Sequence, residues 1–555
     1  LPLPVENAAG QTQFQGNLWT VDRLSADYGA IENIVAAGLI DFDIGYELKA
    51  VKPGVSVGAF ANTVDLELPV PTEGVFDAIA FVTGPIANPE FSGTVNAVTP
   101  VDVDRVTFNS ASSNFLLQGA QLYLDDIVAT PTTGGAITGN GQVRLADGSP
   151  FTFQLAGRSL PARQIANLYD INPDFTLGLV SADATVVGNG SNVTTTVDWD
   201  APSAQYPGSG TIDINGTDLA FRDTVFTIGG GTATGTGSLI GELWDADVAF
   251  NNVQLNAFSE DLRGDVNGQF QFSGTTADTR IGAIASQGNI TFSDGLAAFS
   301  PQFDSFNDPL DAQVAWNGEN IEVVRASSNR VVASGILTPS FDDGFTGLDS
   351  FDLDIATDNY ALAELPFDIP DIIALAGTGD IGGRLTGSPA APSFVGNVQL
   401  SDLVVNNLPF NPFLAGTIAY SPTAEFTLDV NGSTDSIALN IGPINTNSDA
   451  IPALDFNVGW RGAVAQGQTQ GDILTGSARD FPLATLNFPV GGAADIGQLR
   501  GTLTSNSFTA DLANQTLNGD IAIDQLGVGY IGAGKLTGQI NYADSLATLA
   551  NCTLV

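Results

Sequence analysis

The chain has 555 residues, of which 61 are acidic and 17 basic, so its formal net charge is −44. Nucleic-acid binding depends on Lys and Arg side chains that neutralise phosphates, so this charge excludes nucleic acid as a partner. Histidine and methionine are absent and Cys552 is the one cysteine, which excludes Ser-His-Asp and Cys-His catalysis, a disulfide framework and a thiolate metal site within this chain.

Stretches in which apolar and polar residues alternate recur along most of the chain. Successive side chains of a strand point to opposite faces of a sheet, so each stretch predicts a strand with one apolar and one acidic, polar face. Long runs of helix-forming residues are missing, and the sequence therefore predicts an all-β protein. The residues predicted to line the apolar face are, in chain order, Val64, Leu66, Leu68, Phe151, Phe153, Leu155, Phe270, Phe272, Phe351, Leu353, Ile355, Phe426, Leu428 and Val430.

Short turn signals separate the predicted strands. Asp-Gly, Asn-Gly and Gly-Gly pairs accept the positive φ that tight hairpins require, so we expect most neighbouring strands to be antiparallel. The segment 160–169 breaks the alternation and predicts a short helical insert packed on the sheet. The turn signals lie at 147–148, 215–216, 229–231, 294–295 and 431–432.

Internal repeats set the size of the structural unit. The pattern of residues 83–95 is repeated at 386–398, where Thr, Gly, Pro, Phe, Gly and Val occur at identical spacing. Residues 262–274 likewise resemble residues 375–387. A repeat of 110–120 residues is too long for a β-helix rung or a propeller blade and predicts one continuous, mostly antiparallel sheet over residues 1–555. The approximate modules of this region are 10–157, 158–260, 261–373, 374–498 and 499–555.

The repeated elements resemble the TamB family of envelope proteins, in its cyanobacterial form. The pattern Thr-Gly-x-x-x-x-Pro-x-Phe-x-Gly-x-Val at 83–95 and 386–398 carries this resemblance, together with the stretches 201–210, 221–224 and 403–420. The likeness runs from about residue 10 to the end of the chain. Each motif is degenerate, and their order along the chain is the more specific signal.

The resemblance implies a long, U-shaped sheet that is apolar inside and bridges the inner and outer membranes. It also implies a periplasmic location, an outer-membrane barrel-assembly partner, and a role in phospholipid movement and outer-membrane biogenesis. No apolar run is long enough to span a membrane and no secretory signal is visible. We therefore expect the inner-membrane anchor and the partner-docking segment to lie outside this sequence, which begins at Leu1.

The alternation and the resemblance together predict a non-enzymatic lipid carrier. An apolar concave face can shield phospholipid acyl chains from water, while the head groups stay at the wet edge of the sheet. Two other classes remain open at this point. One is an acidic structural or adhesive surface rod, and the other is a β-rich carbohydrate-active enzyme. We expect no cofactor and no bound metal in the lipid carrier.

Several charged residues could form a catalytic, metal-binding or phosphate-binding site, but a simpler interpretation is favoured for each of them. Paired carboxylates such as Asp352 and Asp354 could in principle cleave glycosides or bind calcium, but their place on a regular strand favours a solvated face. Arginines beside glycine-rich turns could meet lipid phosphates at the groove edge, although pairing with neighbouring acids is favoured. The acidic pairs in question are Asp102/Asp104, Asp125/Asp126, Asp342/Asp343 and Asp352/Asp354, and the arginines are Arg222, Arg263, Arg384 and Arg500.

Overall fold

A computed structural model of the protein confirms the all-β class. Its described part contains a sheet of 38 strands and two α-helices, α1 (Val57–Val64) and α2 (Ala162–Leu168). The residues that the structure describes are 5–68, 70–169, 176–190, 192–258, 262–278, 280–298, 307–341, 345–364, 374–405, 408–422, 426–442, 453–483, 499–528, 531–543 and 546–555.

The chain divides into two compact units. Unit 1 comprises Leu1–Ala257 and Gln269–Thr279, and unit 2 comprises Phe258–Gly268 and Arg280–Val555. The module boundaries predicted from the repeats remain a prediction. The strands up to the unit boundary are β1 (Val5–Gln15), β2 (Leu18–Tyr28), β3 (Ile31–Asp41), β4 (Gly45–Ser56), β5 (Thr72–Glu73), β6 (Val75–Gly84), β7 (Glu90–Ala97), β8 (Val101–Val103), β9 (Val106–Gln118), β10 (Gln121–Pro131), β11 (Ala136–Arg144), β12 (Phe151–Pro161), β13 (Leu179–Asn189), β14 (Asn192–Ala201), β15 (Gly208–Asn215), β16 (Asp218–Ile228), β17 (Gly231–Ile240), β18 (Leu243–Gln254) and β19 (Asp265–Thr275).

The remaining strands belong to unit 2. They are β20 (Ala285–Phe292), β21 (Leu310–Trp316), β22 (Ile321–Ser328), β23 (Val331–Phe341), β24 (Phe345–Thr357), β25 (Tyr360–Ala361), β26 (Leu375–Ser388), β27 (Ala391–Val405), β28 (Leu408–Pro409), β29 (Phe413–Tyr420), β30 (Phe426–Asn431), β31 (Ser436–Ile441), β32 (Leu454–Trp460), β33 (Ala463–Gln470), β34 (Ile473–Pro482), β35 (Leu499–Asp511), β36 (Thr516–Val528), β37 (Ile531–Ala543) and β38 (Leu546–Leu554). Short 3-10 turns lie at Leu255–Ala257, Ile281–Ala283, Gly295–Ala298 and Leu362–Glu364.

The predicted antiparallel meander is confirmed. In unit 1 each long strand from β1 to β18 pairs antiparallel with the next one, for example β12 with β13 and β13 with β14. In unit 2 the same holds from β20 to β38, again among the described residues. The two-residue or three-residue strands β5, β8, β25 and β28 form small additional pairs at strand ends.

The repeat that carries the family resemblance is the same hairpin used twice. Residues 83–95 form the β6–β7 connection, in which Val82 lies opposite Phe91. Residues 386–398 form the β26–β27 connection, with Leu385 opposite Phe394 in the equivalent register. The repeated glycine allows the turn, because Gly387 has a φ of +111°, which side-chain-bearing residues rarely adopt.

The two edges of the meander differ. We call the edge from which α1 and α2 leave the insert edge, and the opposite edge, where β3 turns into β4 and β11 into β12, the hairpin edge. In unit 1, β4 and β12 carry a β-bulge close to the insert edge, where the register shifts around Gly54 and Ser159. A bulge bends its strand and increases the local twist, so these strands bend near the insert edge.

The predicted strand at residues 64–68 is wrong. Val64 is the last residue of α1, Asp65 ends the helix with a φ of +54°, and Leu66 to Leu68 have no strand pairing. Ser56 caps the start of the helix, since its hydroxyl accepts a hydrogen bond from the backbone N–H of Ala59. Five alternating residues are too few to separate a strand from a helix end followed by an extended loop.

The predicted insert at 160–169 is confirmed as α2, but none of its helical residues is buried against the sheet. Tyr169 stays 42% exposed, and its hydroxyl donates a hydrogen bond of 2.9 Å to the Asp104 carboxylate. Partial burial, and then this hydrogen bond, raise the pKa of Tyr169 to about 12. The Arg105 guanidinium lies over the Tyr169 ring and donates a hydrogen bond to the carbonyl of Leu168. These contacts hold the end of α2 at the insert edge.

Candidate lipid-binding site

An unbroken apolar row crosses unit 2 from β20 to β37. Each member lies directly opposite the next one on the neighbouring strand, and none is exposed. We call this face of the sheet the floor. The row consists of Ile290, Ala312, Ala326, Ala333, Ile355, Gly383, Gly396, Ile418, Leu428, Leu439, Phe456, Gly467, Gly476, Phe508, Gly519 and Ile540.

Unit 1 has a floor of the same kind, made of two overlapping rows. Both rows are apolar throughout, and their members are buried or half-buried. The first row, from β2 to β14, consists of Val21, Gly38, Leu48, Val82, Phe91, Leu117, Leu122, Val143, Phe151, Gly188 and Val193. The second row, from β12 to β18, consists of Leu155, Ala184, Val197, Ile212, Phe221, Gly237 and Ala246.

The opposite face of the same strands is polar and acidic. Thr185, Thr196 and Asp213 each neighbour a member of the second unit 1 row in sequence and therefore point to the other face. Thr185 lies opposite Thr196, and Thr196 lies opposite Asp213. The Thr196 hydroxyl donates a 2.8 Å hydrogen bond to Asp213, and the Arg222 guanidinium donates one of 2.5 Å. The hydrogen bond from Arg222, followed by that from Thr196, holds the pKa of the Asp213 carboxyl below its usual value.

The interpretation of the charged residues as a solvated face agrees with these contacts. Arg384 forms a two-pronged ion pair with Asp352, at 2.6 Å and 2.5 Å, and thereby lowers the pKa of that carboxyl. Asp102 accepts a hydrogen bond from Thr107. Among the described residues no group of three or more Asp, Glu or Cys side chains is placed to hold a metal ion. The pair Asp342/Asp343 lies outside the described residues.

Most of the residues predicted to line the apolar face lie on the floor and are half-buried. Phe153, Leu155, Phe270, Phe272, Phe351, Leu353, Ile355, Phe426 and Leu428 belong to this group. Phe151 and Val430 also lie on the floor, but they are only 7% and 0% exposed because other parts of the chain cover them. Leu68 is 39% exposed in a loop. The lipid-binding role of all these residues remains a prediction.

A segment of unit 1 crosses the floor from one edge to the other. We call residues 57–67 the strap. At the insert edge, the Thr63 hydroxyl accepts a 2.9 Å hydrogen bond from the backbone N–H of Ala30 in the β2–β3 turn. At the hairpin edge, the Glu67 N–H donates a 3.3 Å hydrogen bond to the hydroxyl of Ser149 in the β11–β12 connection.

The strap is apolar where it meets the floor. Its Phe60 and Leu66 side chains pack against the buried cluster of Leu122, Val143 and Phe151. These three floor residues are only 5–7% exposed. The strap therefore takes up the apolar surface that a hydrocarbon chain would otherwise contact at this point.

A second cover lies in unit 2. Leu362 and the residues Leu408 and Phe410 pack onto the floor residues Leu400 and Val430. Both covering segments follow strands, β24 and β27, that end at the same edge of the meander. Leu414 and Val430 are completely buried in this cluster, which makes it the most enclosed part of the described floor.

A buried carboxylate fixes the second cover in place. Asp435 is 2% exposed, and its two oxygens accept 2.7 Å hydrogen bonds from the backbone N–H groups of Asn411 and Arg461. The Trp460 indole donates a further 2.9 Å bond to the carbonyl of Pro409. Asp435 thus joins three chain segments beside the covered floor. Sequence reasoning treated 431–432 only as a turn, although the following Ser-Thr-Asp cluster is typical of side chains that bind backbone amides.

Asp435→Ala is expected to loosen the second cover. Two buried N–H groups would lose their acceptor, each at a cost of about 1–3 kcal/mol, so the local free energy of opening should fall by about 2–6 kcal/mol. Hydrogen exchange at the Asn411 and Arg461 amides measures this. Asp429→Ala, on the exposed face of β30, is the matched control. Equal protection of both amides in the two variants would contradict the role assigned to Asp435.

Comparison with known protein families relates part of this chain to one family. Residues 125–304 match the family model described as the TamB C-terminal domain. This part of the chain is TamB-like. The TamB family is a non-enzymatic transport and assembly module of the cell envelope. The matched residues include the second unit 1 row and the predicted residues Phe270 and Phe272. The resemblance inferred from the repeats is thereby confirmed at the level of the family, whereas the cyanobacterial form stays a prediction.

Two further comparisons gave no match. No curated protein and no solved structure matched this TamB-like chain. In the part of the chain that the structure describes, both helices are too short to reach across a bilayer.

Proposed function

We propose that this TamB-like chain carries phospholipid along its apolar floor between the inner and outer membranes, without catalysing a reaction. The observation that carries this proposal is the unbroken row from Ile290 to Ile540, which crosses the strands of unit 2 without one polar side chain. A sheet that only had to be rigid or adhesive would have no need for such continuity. The family match supports a transport role in the envelope.

The floor suits an acyl chain that must move. Each buried methylene group contributes about 0.8 kcal/mol, so a chain lying on the floor is held by many small and similar contacts. Equivalent apolar positions on successive strands let it slide without meeting one deep trap. The charged head group would stay at an edge of the sheet, in water, because its burial without partners is costly.

The two covers interrupt this route. The strap occupies the floor at Leu122 and Val143, and the second cover occupies it at Val430. Under the proposed function, lipid lies on the uncovered part of the floor in each unit, and each cover has to move before an acyl chain can pass it. Contacts with the inner membrane and with an outer-membrane barrel-assembly protein, and the periplasmic location, belong to the same proposal.

Site-specific photo-crosslinking tests the proposed function. A photo-reactive amino acid at Phe272, half-buried on the floor of β19, is expected to capture phospholipid in cells and from vesicles of phosphatidylethanolamine and phosphatidylglycerol. The same group at Ser273, the next residue and exposed on the other face, is expected to capture none. Native mass spectrometry should detect co-purified phospholipid. Equal capture at the two positions, or none at either, would refute lipid carriage.

A further inference from the structure

Aromatic rings on the floor lie over glycines of the neighbouring strand. Phe153 lies directly opposite Gly141, and Phe456 lies directly opposite Gly467. A methyl group added to Gly467 would lie 2.8 Å from Cε1 of Phe456, closer than real Cβ atoms come to other heavy atoms. The pairs Gly208/Phe226 and Gly476/Phe508 repeat this arrangement, each with a corresponding distance of 2.5 Å.

The position of the ring follows from the missing side chain. Because the ring takes the place of the absent side chain, it lies along the sheet and does not stand up into the space above the floor. In the case of Gly141, the three heavy atoms nearest to an added Cβ all belong to the Phe153 ring. Any side chain at these glycines would have to displace the ring, and the neighbouring strands leave it only the space above the floor.

We infer that these ring-covered glycines are specificity-determining positions, which keep the floor low enough for extended acyl chains to pass over the aromatic rings. The inference rests on the proposed function and deepens it. It explains why the longest apolar row places glycines next to its aromatic residues, as at Phe456, Gly467, Gly476 and Phe508. A floor built only for packing would gain apolar contact area from larger residues at these positions.

Substituting one covered glycine tests the inference. In the full chain, a photo-crosslinker at Leu439, directly opposite Phe456, reports lipid at this point of the floor. Gly467→Ala is expected to reduce capture from phosphatidylethanolamine and phosphatidylglycerol vesicles by about fourfold to fifteenfold, since one or two methylene contacts are lost. Gly382→Ala is the control, because a methyl group there faces solvent with no heavy atom within 4 Å.

A double variant separates this role from sheet stability. Phe456→Ala combined with Gly467→Ala removes the displaced ring and is expected to restore capture, although the sheet loses an aromatic contact. Circular dichroism confirms that each variant is folded. Unchanged capture in folded Gly467→Ala, or no restoration in the double variant, would overturn the inference. Absence of capture in the parent chain would instead overturn the proposed function, and the inference with it.

Discussion

Replacing Leu66 with Asp is expected to release the strap and open the unit 1 floor to lipid. Leu66 packs against Leu122, Val143 and Phe151, so a carboxylate there would be buried among apolar groups without a partner. An uncompensated buried charge costs several kcal/mol, more than the single hydrogen bond between Glu67 and Ser149 at that end of the strap contributes. The strap should therefore detach at the hairpin edge while the sheet stays folded.

Two measurements follow the released strap. Hydrogen exchange at the Glu67 amide should accelerate by about a hundredfold or more, as a loss of about 3 kcal/mol of local stability implies. A photo-crosslinker at Val143 should capture phospholipid in Leu66→Asp and little in the parent chain. Asn62→Asp places the same charge on the exposed side of the strap and should change neither measurement. Strong lipid capture at Val143 in the parent chain would show that the strap does not close the floor.

A charge on the uncovered floor is expected to block lipid. Leu353 lies between Gly335 and Leu385 on neighbouring strands and is half-buried. A hydrated carboxylate at this position would deprive a passing acyl chain of contact with about three methylene groups, or about 2.4 kcal/mol in all. Lipid occupancy next to Leu353→Asp should therefore fall roughly sixtyfold.

A photo-crosslinker at Leu385, directly opposite Leu353, measures this occupancy. The matched control is Ala356→Asp, which adds the same charge to the exposed face of the same strand. Lipid capture that falls equally in both variants would point to a general effect of charge and not to a floor. Capture that persists in Leu353→Asp would contradict passage along this row.

Much of the sheet could be predicted because its rules are local. Alternation gives the two faces, and the repeated Thr-Gly and Phe-x-Gly spacing gives two hairpins in the same register. Alternation fails to predict the face of a residue where a strand carries a β-bulge. Phe221 and Phe226 are five residues apart, and strict alternation would place them on opposite faces. The bulge at Asp223 brings both to the floor, where Phe226 packs against Trp199.

The covers could not be predicted in the same way. The strap is held by a contact between Glu67 and Ser149, 82 residues apart, which no local pattern reveals. Phe151 and Val430 are indistinguishable in sequence from the uncovered floor residues, because alternation fixes the face of a residue and not what lies above it. The resemblance to TamB predicted an apolar interior, and the interruptions in it emerged only from tertiary contacts.

The shared edge of the inserts has a consequence for how such a chain can change in length. In a meander the direction of the chain reverses at each strand, so the edge reached by a given connection depends on whether an even or odd number of strands precedes it. In unit 1, α1 and α2 leave from the same edge because β6, β7, β9, β10, β11 and β12 lie between them. Losing one of these strands would send α2 to the opposite edge and invert the order of every later turn. Evolutionary lengthening or shortening between two inserts should therefore proceed by whole hairpins, in increments of about 10 Å across the sheet.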